Sequence, residues 1–329
     1  MKFGCSLEMI NMRITEPGYT NKLTKKYWIE LFKFASAVGF KGVELPYNPY
    51  TNDGIAFNMT RSGMPINKYA VNTKYGSVNS FMEILADVGI EQITGVHISA
   101  QDSLLELITT GQDPRKVFEK FEAAAEEAIG FLEEVDGKGL VISPTPELGL
   151  LHHLMGSKGE NWEPSFLSKA ADTINKIGKM ASKSGVQASI KNEFWSLVRG
   201  NQLDRFMDEL DSQHIFYSPD LAHLSIANEN PVEVVKKYHD KLNFIRFSDT
   251  RFVDLEDNYK KPNPEIPKVG AQRVFCDLGD GKVDLQGVYH ALTDTSYDGW
   301  VICESKKTLN VYKALLKMRW YIDNKLLKS

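Results

Sequence analysis

The sequence predicts a single (β/α)8 barrel, on three observations. Short β-rich runs alternate with longer amphipathic stretches from end to end. The longest polar insertions follow strands rather than helices. Several strands end in ionisable residues. Eight strand candidates are legible: 2–7, 42–46, 93–99, 139–144, 187–193, 215–220, 243–249 and 299–304. The helix-like stretches between them include 25–39, 115–135, 165–185 and 308–327, with apolar residues at three- and four-residue spacing. Gly39 and Gly185 close the first and third of these, as glycine commonly does at a helix C-terminus.

The insertions span 47–74, 145–164 and 250–277. In a barrel, segments that follow strands gather on one face, which is where barrel active sites lie. They are expected to deepen or lid a pocket there. No Pro/Gly/Ser linker or shift in composition divides the chain, so residues 1–329 are read as one domain.

At 329 residues, 42% hydrophobic, the chain has enough apolar material for one large core. A formal charge of −4 with interspersed signs offers no broad attraction to nucleic acid or anionic membrane. Cys5, Cys276 and Cys303 are odd in number and far apart, unlike a disulfide framework or a CxxC metal site. The N-terminal run MKFGCSLEMI lacks a signal-like apolar core, and no run approaches the length of a membrane span. The expectation is a cytoplasmic protein with a small-molecule partner.

Period-two alternation places Lys191 on one face with Glu193, Ser218 with Asp220, Arg246 with Ser248, and Ile302 with Glu304. Charges gathered in a barrel mouth must be paired, bound to metal or used in chemistry. His97 ends the third strand, Trp195 follows Glu193 with a face that could stack on a sugar ring, and Glu44 in GVELP is expected to make a structural polar contact. LGDGKVDL lacks the Lys-Ser/Thr of a P-loop and the length of an EF-hand, so it reads as a turn leading to a helix N-terminus at Asp284.

Three segments together resemble the xylose isomerase-like barrels, which include sugar-phosphate isomerases/epimerases. SPDLAHL matches an Asp-x-x-His element at Asp220 and His223, LGDGKVDL matches an LGxGxVD segment, and SYDGWVICE matches a last strand ending in Glu304. The resemblance implies an enzyme that moves a proton next to the carbonyl of a keto-sugar or sugar derivative, with Glu193 and Glu304 as base and acid. It also implies a divalent metal (Mn, Mg or Zn) held by a Glu, an Asp, a His and a Glu on the last four strands.

The sequence departs from that set. Lys191 stands where the family's fifth-strand Glu is expected and Arg246 where the seventh-strand His is. Neither is a ligand while protonated. Two arrangements stay open. A metal sits on Glu193, Asp220 and Glu304, completed by His223 or water; or Lys191 and Arg246 replace it, pairing with Asp220 and Glu304 and offering donors to a substrate oxygen. Arg246, His97, His223 and Trp195 are the candidate substrate-binding residues.

Isomerisation or epimerisation is the leading activity. The alternative is β-elimination from a 3-keto glycoside, as the resemblance to C-glycoside deglycosidases implies, some of which work with a small partner subunit. A third reading is a non-catalytic sugar-binding or partner subunit with a degenerate metal site. A homo-oligomer is compatible with all of these.

Overall fold

Parallel strands buried on both faces need no alternation of polarity, and the barrel strands are accordingly almost wholly buried. The computed structural model describes residues 1–10, 18–49, 63–155, 162–260 and 274–328. Among the described residues ten strands run in chain order: β1 Lys2–Ser6, β2 Gly42–Leu45, β3 Gln92–Ser99, β4 Gly139–Ser143, β5 Gln187–Lys191, β6 Ile215–Ser218, β7 Ile245–Phe247, β8 Asp249–Thr250, β9 Phe275–Cys276 and β10 Trp300–Cys303. Eight form one parallel sheet in the order β6-β5-β4-β3-β2-β1-β10-β7. The edge strands β6 and β7 meet through the Tyr217–Leu242 and Asp220–Arg246 bridges and the Arg246 N–H on the Pro219 carbonyl, which brings the sheet to near closure as a barrel. All eight predicted strands are present, and β8 and β9 form a separate antiparallel ribbon.

Helices cover the outside of the barrel. The amphipathic segments fold as Lys25–Val38, Val117–Glu134, Glu163–Lys183 and Val311–Tyr321, the first capped by Thr24 and ended by Gly39 at φ 110°. Among the described residues no helix is long and apolar enough to cross a membrane.

Inside the barrel a small apolar plug of Val141, Phe244 and Ile302, with Trp300 against it, is separate from the main core between strands and helices. Glycines make room for it: a Cβ on Gly42 would lie 2.5 Å from the Trp300 ring, and one on Gly139 would lie 2.5 Å from Phe244. Two residues beyond the plug along each strand, the same inward face carries Ser143, Arg246 and Glu304, and on neighbouring strands Glu44, His97 and Lys191. The plug floors the barrel, and the ionisable groups form the next layer up.

The insertions contain structure of their own. The first includes the helix Lys68–Tyr75 and the second the helix Leu148–Met155. The third starts and ends in the β8–β9 ribbon. Parts of all three (50–62, 156–161 and 261–273) lie outside the described residues.

LGDGKVDL wraps around one carboxylate. Asp249 accepts backbone N–H groups from Thr250, Gly279, Gly281 and Val283 at 2.8 to 3.2 Å. The expected helix start is present, with the Asp284 side chain accepting the Gly287 N–H at 2.8 Å. A Cβ on Gly281 would fall 1.9 Å from Asp249 Oδ1 and 2.7 Å from the Thr250 nitrogen. Gly281→Ala must therefore push the carboxylate out of its nest, and hydrogen bonds to a charged group contribute about 1.5–3 kcal/mol each. A stability loss of at least about 2 kcal/mol, measured as a lowered urea midpoint at unchanged m-value, is the expected outcome.

Candidate functional site

Arg246 organises the barrel mouth. Fully buried on β7, it donates from Nη1 and Nη2 to the two Glu44 oxygens at 2.6 and 2.7 Å, and from Nε and Nη2 to Glu304 at 3.1 and 3.3 Å. Ser6 donates to Glu44 at 2.6 Å, so Glu44 makes the structural contact expected of it. These bonds occupy nearly all the donors of the guanidinium. Arg246 is therefore a clamp between carboxylates, and the expectation that it offers donors to a substrate oxygen gives way to that arrangement.

Asp220 begins the helix Leu221–Ile226 as its N-cap, where Oδ1 accepts the Ser248 hydroxyl at 2.6 Å and the His223 N–H at 3.4 Å. Asn192 holds it from the β5 side, accepting the Asp220 N–H at 2.8 Å and donating to the Asp220 carbonyl at 3.2 Å. Burial alone would raise the Asp220 carboxyl, but Lys306, Lys191 and Arg246 hold it down at about 2. Burial likewise opposes ionisation of Glu304, and Arg246 and Lys306 hold that carboxyl at about 2.

The cation between these two acids is a residue that sequence reasoning missed. Lys306, two positions past Glu304, places Nζ 2.8 Å from Asp220 Oδ2 and 2.6 Å from Glu304 Oε1, with the Phe275 ring 5.5 Å away. Despite burial, the two carboxylates keep its ammonium well above the ordinary lysine value.

Lys191 does point into the mouth. The pairing Lys191↔Ser218 fixes its register, and its Nζ stands 3.4 Å from Glu193 Oε1 and 3.9 Å from Asp220 Oδ2. β5 stops at Lys191, so Glu193 lies in the turn beyond it. Trp195 Nε1 donates to Glu193 Oε2 at 3.0 Å, and its ring packs edge-on against Phe194 and His223. Trp195 thus orients the carboxylate. Burial works against the charge on Glu193, yet Lys191 foremost holds its carboxyl below the ordinary range.

His223 is fully buried, and its Nδ1 accepts the Phe194 backbone N–H at 3.2 Å. Burial, with Lys306 and Lys191 nearby, pushes its pKa well down. A neutral ring accepting at Nδ1 carries its proton on Nε2, which faces Asp220 Oδ2 at 3.9 Å. It has no lone pair left for a metal.

His97 is held at both ends, with Nδ1 3.2 Å from Glu8 Oε2 and Nε2 2.8 Å from the Ser143 hydroxyl. Glu8, on the turn after β1, is a second missed residue and also lies 3.8 Å from Arg246. Asp102, in the first turn of the helix Ala100–Thr109, is a third. Its carboxyl is raised above the ordinary value, by burial and by the Glu8 and Glu193 charges, against the pull of His97 and Lys191. The residue as a whole is exposed to solvent.

The residues do not fit the metal the sequence resemblance implies. An ammonium stands between Asp220 and Glu304, a guanidinium covers the other side of Glu304, and His223 is in the wrong tautomer. Among the described residues no group of three or more His, Cys, Asp or Glu side chains is disposed to hold an ion. In the cluster, five carboxylates (Glu8, Glu44, Glu193, Asp220, Glu304) face three cations (Lys191, Arg246, Lys306), and each cation is already in contact with at least two of the acids.

A near-closed eight-stranded barrel with a polar mouth on the strand C-terminal side defines a wide class of enzymes. Comparison narrows it: residues 32–321 match the family described as xylose isomerase-like TIM barrel, and the chain belongs to that family. An inosose dehydratase of Bacillus velezensis is 27% identical over 173 residues, covering 50% of this chain and 58% of that protein. The chain thus spans little more than half the length of this relative. Among solved structures, the probable 3-DHS dehydratase of Bacillus anthracis has a TM-score of 0.66 at 14% identity, covering 99% of this chain and all of that one. The 3-keto-D-glucoside 4-epimerase of E. coli has a TM-score of 0.61 at 15% identity, covering 97% of each chain. These two likenesses concern the fold.

Proposed function

We propose that this protein is a lyase acting on a neutral keto-sugar or keto-cyclitol: it removes a proton next to the carbonyl and expels the β-hydroxyl. The observation that carries this reading is the engagement of Glu304 by both Arg246 and Lys306. A two-base epimerase needs a second proton-transferring group on the opposite face of the substrate, and a carboxylate held at about 2 by two cations is a poor one. Glu193, less encumbered, is left as the base. The inosose dehydratase among the relatives supports the same reaction class.

Glu193 takes the proton from the carbon, and the electron pair passes into a carbon–carbon double bond as the carbonyl oxygen becomes an enolate. Lys191, beside Glu193, supplies positive charge near that oxygen. Collapse of the enolate expels the β-hydroxyl, protonated by Asp102, and the product is water and an enone. A carboxyl held up and one held down across the same mouth suit the acid and base roles. Asp102 faces solvent and regains its proton there. His97, fixed by Glu8 and Ser143, and Trp195 position substrate and base. The excess of carboxylates over cations favours a neutral substrate over a phosphate or sugar acid.

Incubation with inososes, 3-keto glycosides and keto-hexoses in D2O tests this. The expected result is loss of water, seen by mass and by ultraviolet absorbance of the conjugated product, with deuterium entering recovered substrate. Deuterium incorporation with inversion and no loss of water replaces the lyase by an epimerase, and no incorporation across the panel removes the enzyme.

A further inference from the structure

We infer that the Lys306 ammonium is a built-in replacement for the divalent cation, occupying the position between Asp220 and Glu304 and acting as an electrophile toward the substrate's carbonyl oxygen. Two observations converge. Nζ lies 2.8 Å and 2.6 Å from the two carboxylates that would otherwise hold an ion. The side chain keeps about an eighth of its surface, 12%, so it is seated in the mouth rather than sealed beneath it.

An ammonium offers N–H donors and one positive charge but no open coordination position, so the carbonyl is polarised by hydrogen bonding and field alone. Arg246 completes the arrangement from the other side of Glu304. Bonded to both Glu304 and Glu44, it offsets one of their two negative charges and so reduces the positive charge that Lys306 has to supply.

The catalytic half of this inference rests on the proposed proton abstraction; the cation-site half does not. The test therefore has two readouts on the whole protein. Binding of Mn2+ alone is measured by calorimetry for wild type, Lys306→Ala and Lys306→Met. Wild type is expected to bind none and to keep full activity after exhaustive EDTA treatment. Lys306→Ala exposes Asp220 and Glu304 to solvent with Glu193 nearby, and is expected to gain one Mn2+ site. Lys306→Met fills the space with an apolar chain and gains none.

In the deuterium-exchange assay both variants are expected to fall at least about a hundredfold, the scale of removing one oxyanion donor. Lys306→Arg, which keeps the charge and guards against loss of folding, is expected to retain more activity than either. Stoichiometric Mn2+, Zn2+ or Mg2+ in purified wild type, with Mn2+ affinity unchanged in Lys306→Ala, overturns the cation-site inference. Full exchange activity in Lys306→Met overturns the catalytic half. If wild type exchanges nothing, the proposed reaction falls and the gain of Mn2+ still decides the cation site.

Discussion

Glu193→Gln is expected to lower kcat/KM for deuterium exchange by about 10²–10⁴-fold, the range that positioned general bases contribute, while leaving the fold intact. Gln keeps the shape, and its amide oxygen can still accept the Trp195 indole N–H that now meets Glu193 Oε2 at 3.0 Å. What it loses is the proton acceptor. Stability should change little, because the buried charge removed was itself costly and Lys191 keeps Asp220 as a partner.

The pH profile of wild type gives a second check. Against the cost of burial, Lys191 foremost holds Glu193 below the ordinary carboxylate value, so the base is ionised at neutral pH and its acid limb lies below the ordinary carboxylate range. Activity is present above that limb and falls as pH drops through the depressed pKa. Retention of more than a tenth of the activity in Glu193→Gln would remove Glu193 from the base role.

The residues read from the sequence and those it concealed differ in how they reach the mouth. Glu44, Lys191 and Arg246 are strand residues, and Glu304 immediately follows β10, so period-two alternation was enough to aim them inward. Glu8 and Lys306 stand two positions past Ser6 and Glu304, on turns, and only by carrying the alternation beyond each strand end could they have been found. The pattern Lys191-Asn-Glu193 is the charge-reversed counterpart of Glu304-Ser-Lys306. Asp102 had no such signal, since it enters from the first turn of a helix whose periodicity reports only its core face. The plug of Val141, Phe244, Ile302 and Trp300 was also hidden, because strands buried on both faces look alike whichever side faces the barrel axis.

Arg246→Met is expected to cost about 3–5 kcal/mol, the largest stability loss of any single substitution in the mouth. The methionine fills much of the volume, so the loss is electrostatic. Glu44 and Glu304, now bonded to the guanidinium at 2.6 to 3.3 Å, would face each other in a buried layer with Ser6 and Lys306 as their remaining partners. Neutralising the pair as well, in Arg246→Met/Glu44→Gln/Glu304→Gln, should restore most of the stability, because the desolvation cost leaves with the charges. Urea unfolding measures both, and a single variant as stable as wild type would mean that the clamp contributes nothing. Acid unfolding supplies the sign. Asp220 and Glu304 are held at about 2 against unfolded values near 4, so each contributes on the order of 3 kcal/mol at neutral pH. That contribution is fully present above about pH 4 and disappears as pH falls from about 4 through about 2. Without Arg246, Glu304 takes up its proton at higher pH. The penalty of Arg246→Met is then greatest at neutral pH and shrinks on acidification, whereas a loss due to packing alone would stay constant across that range.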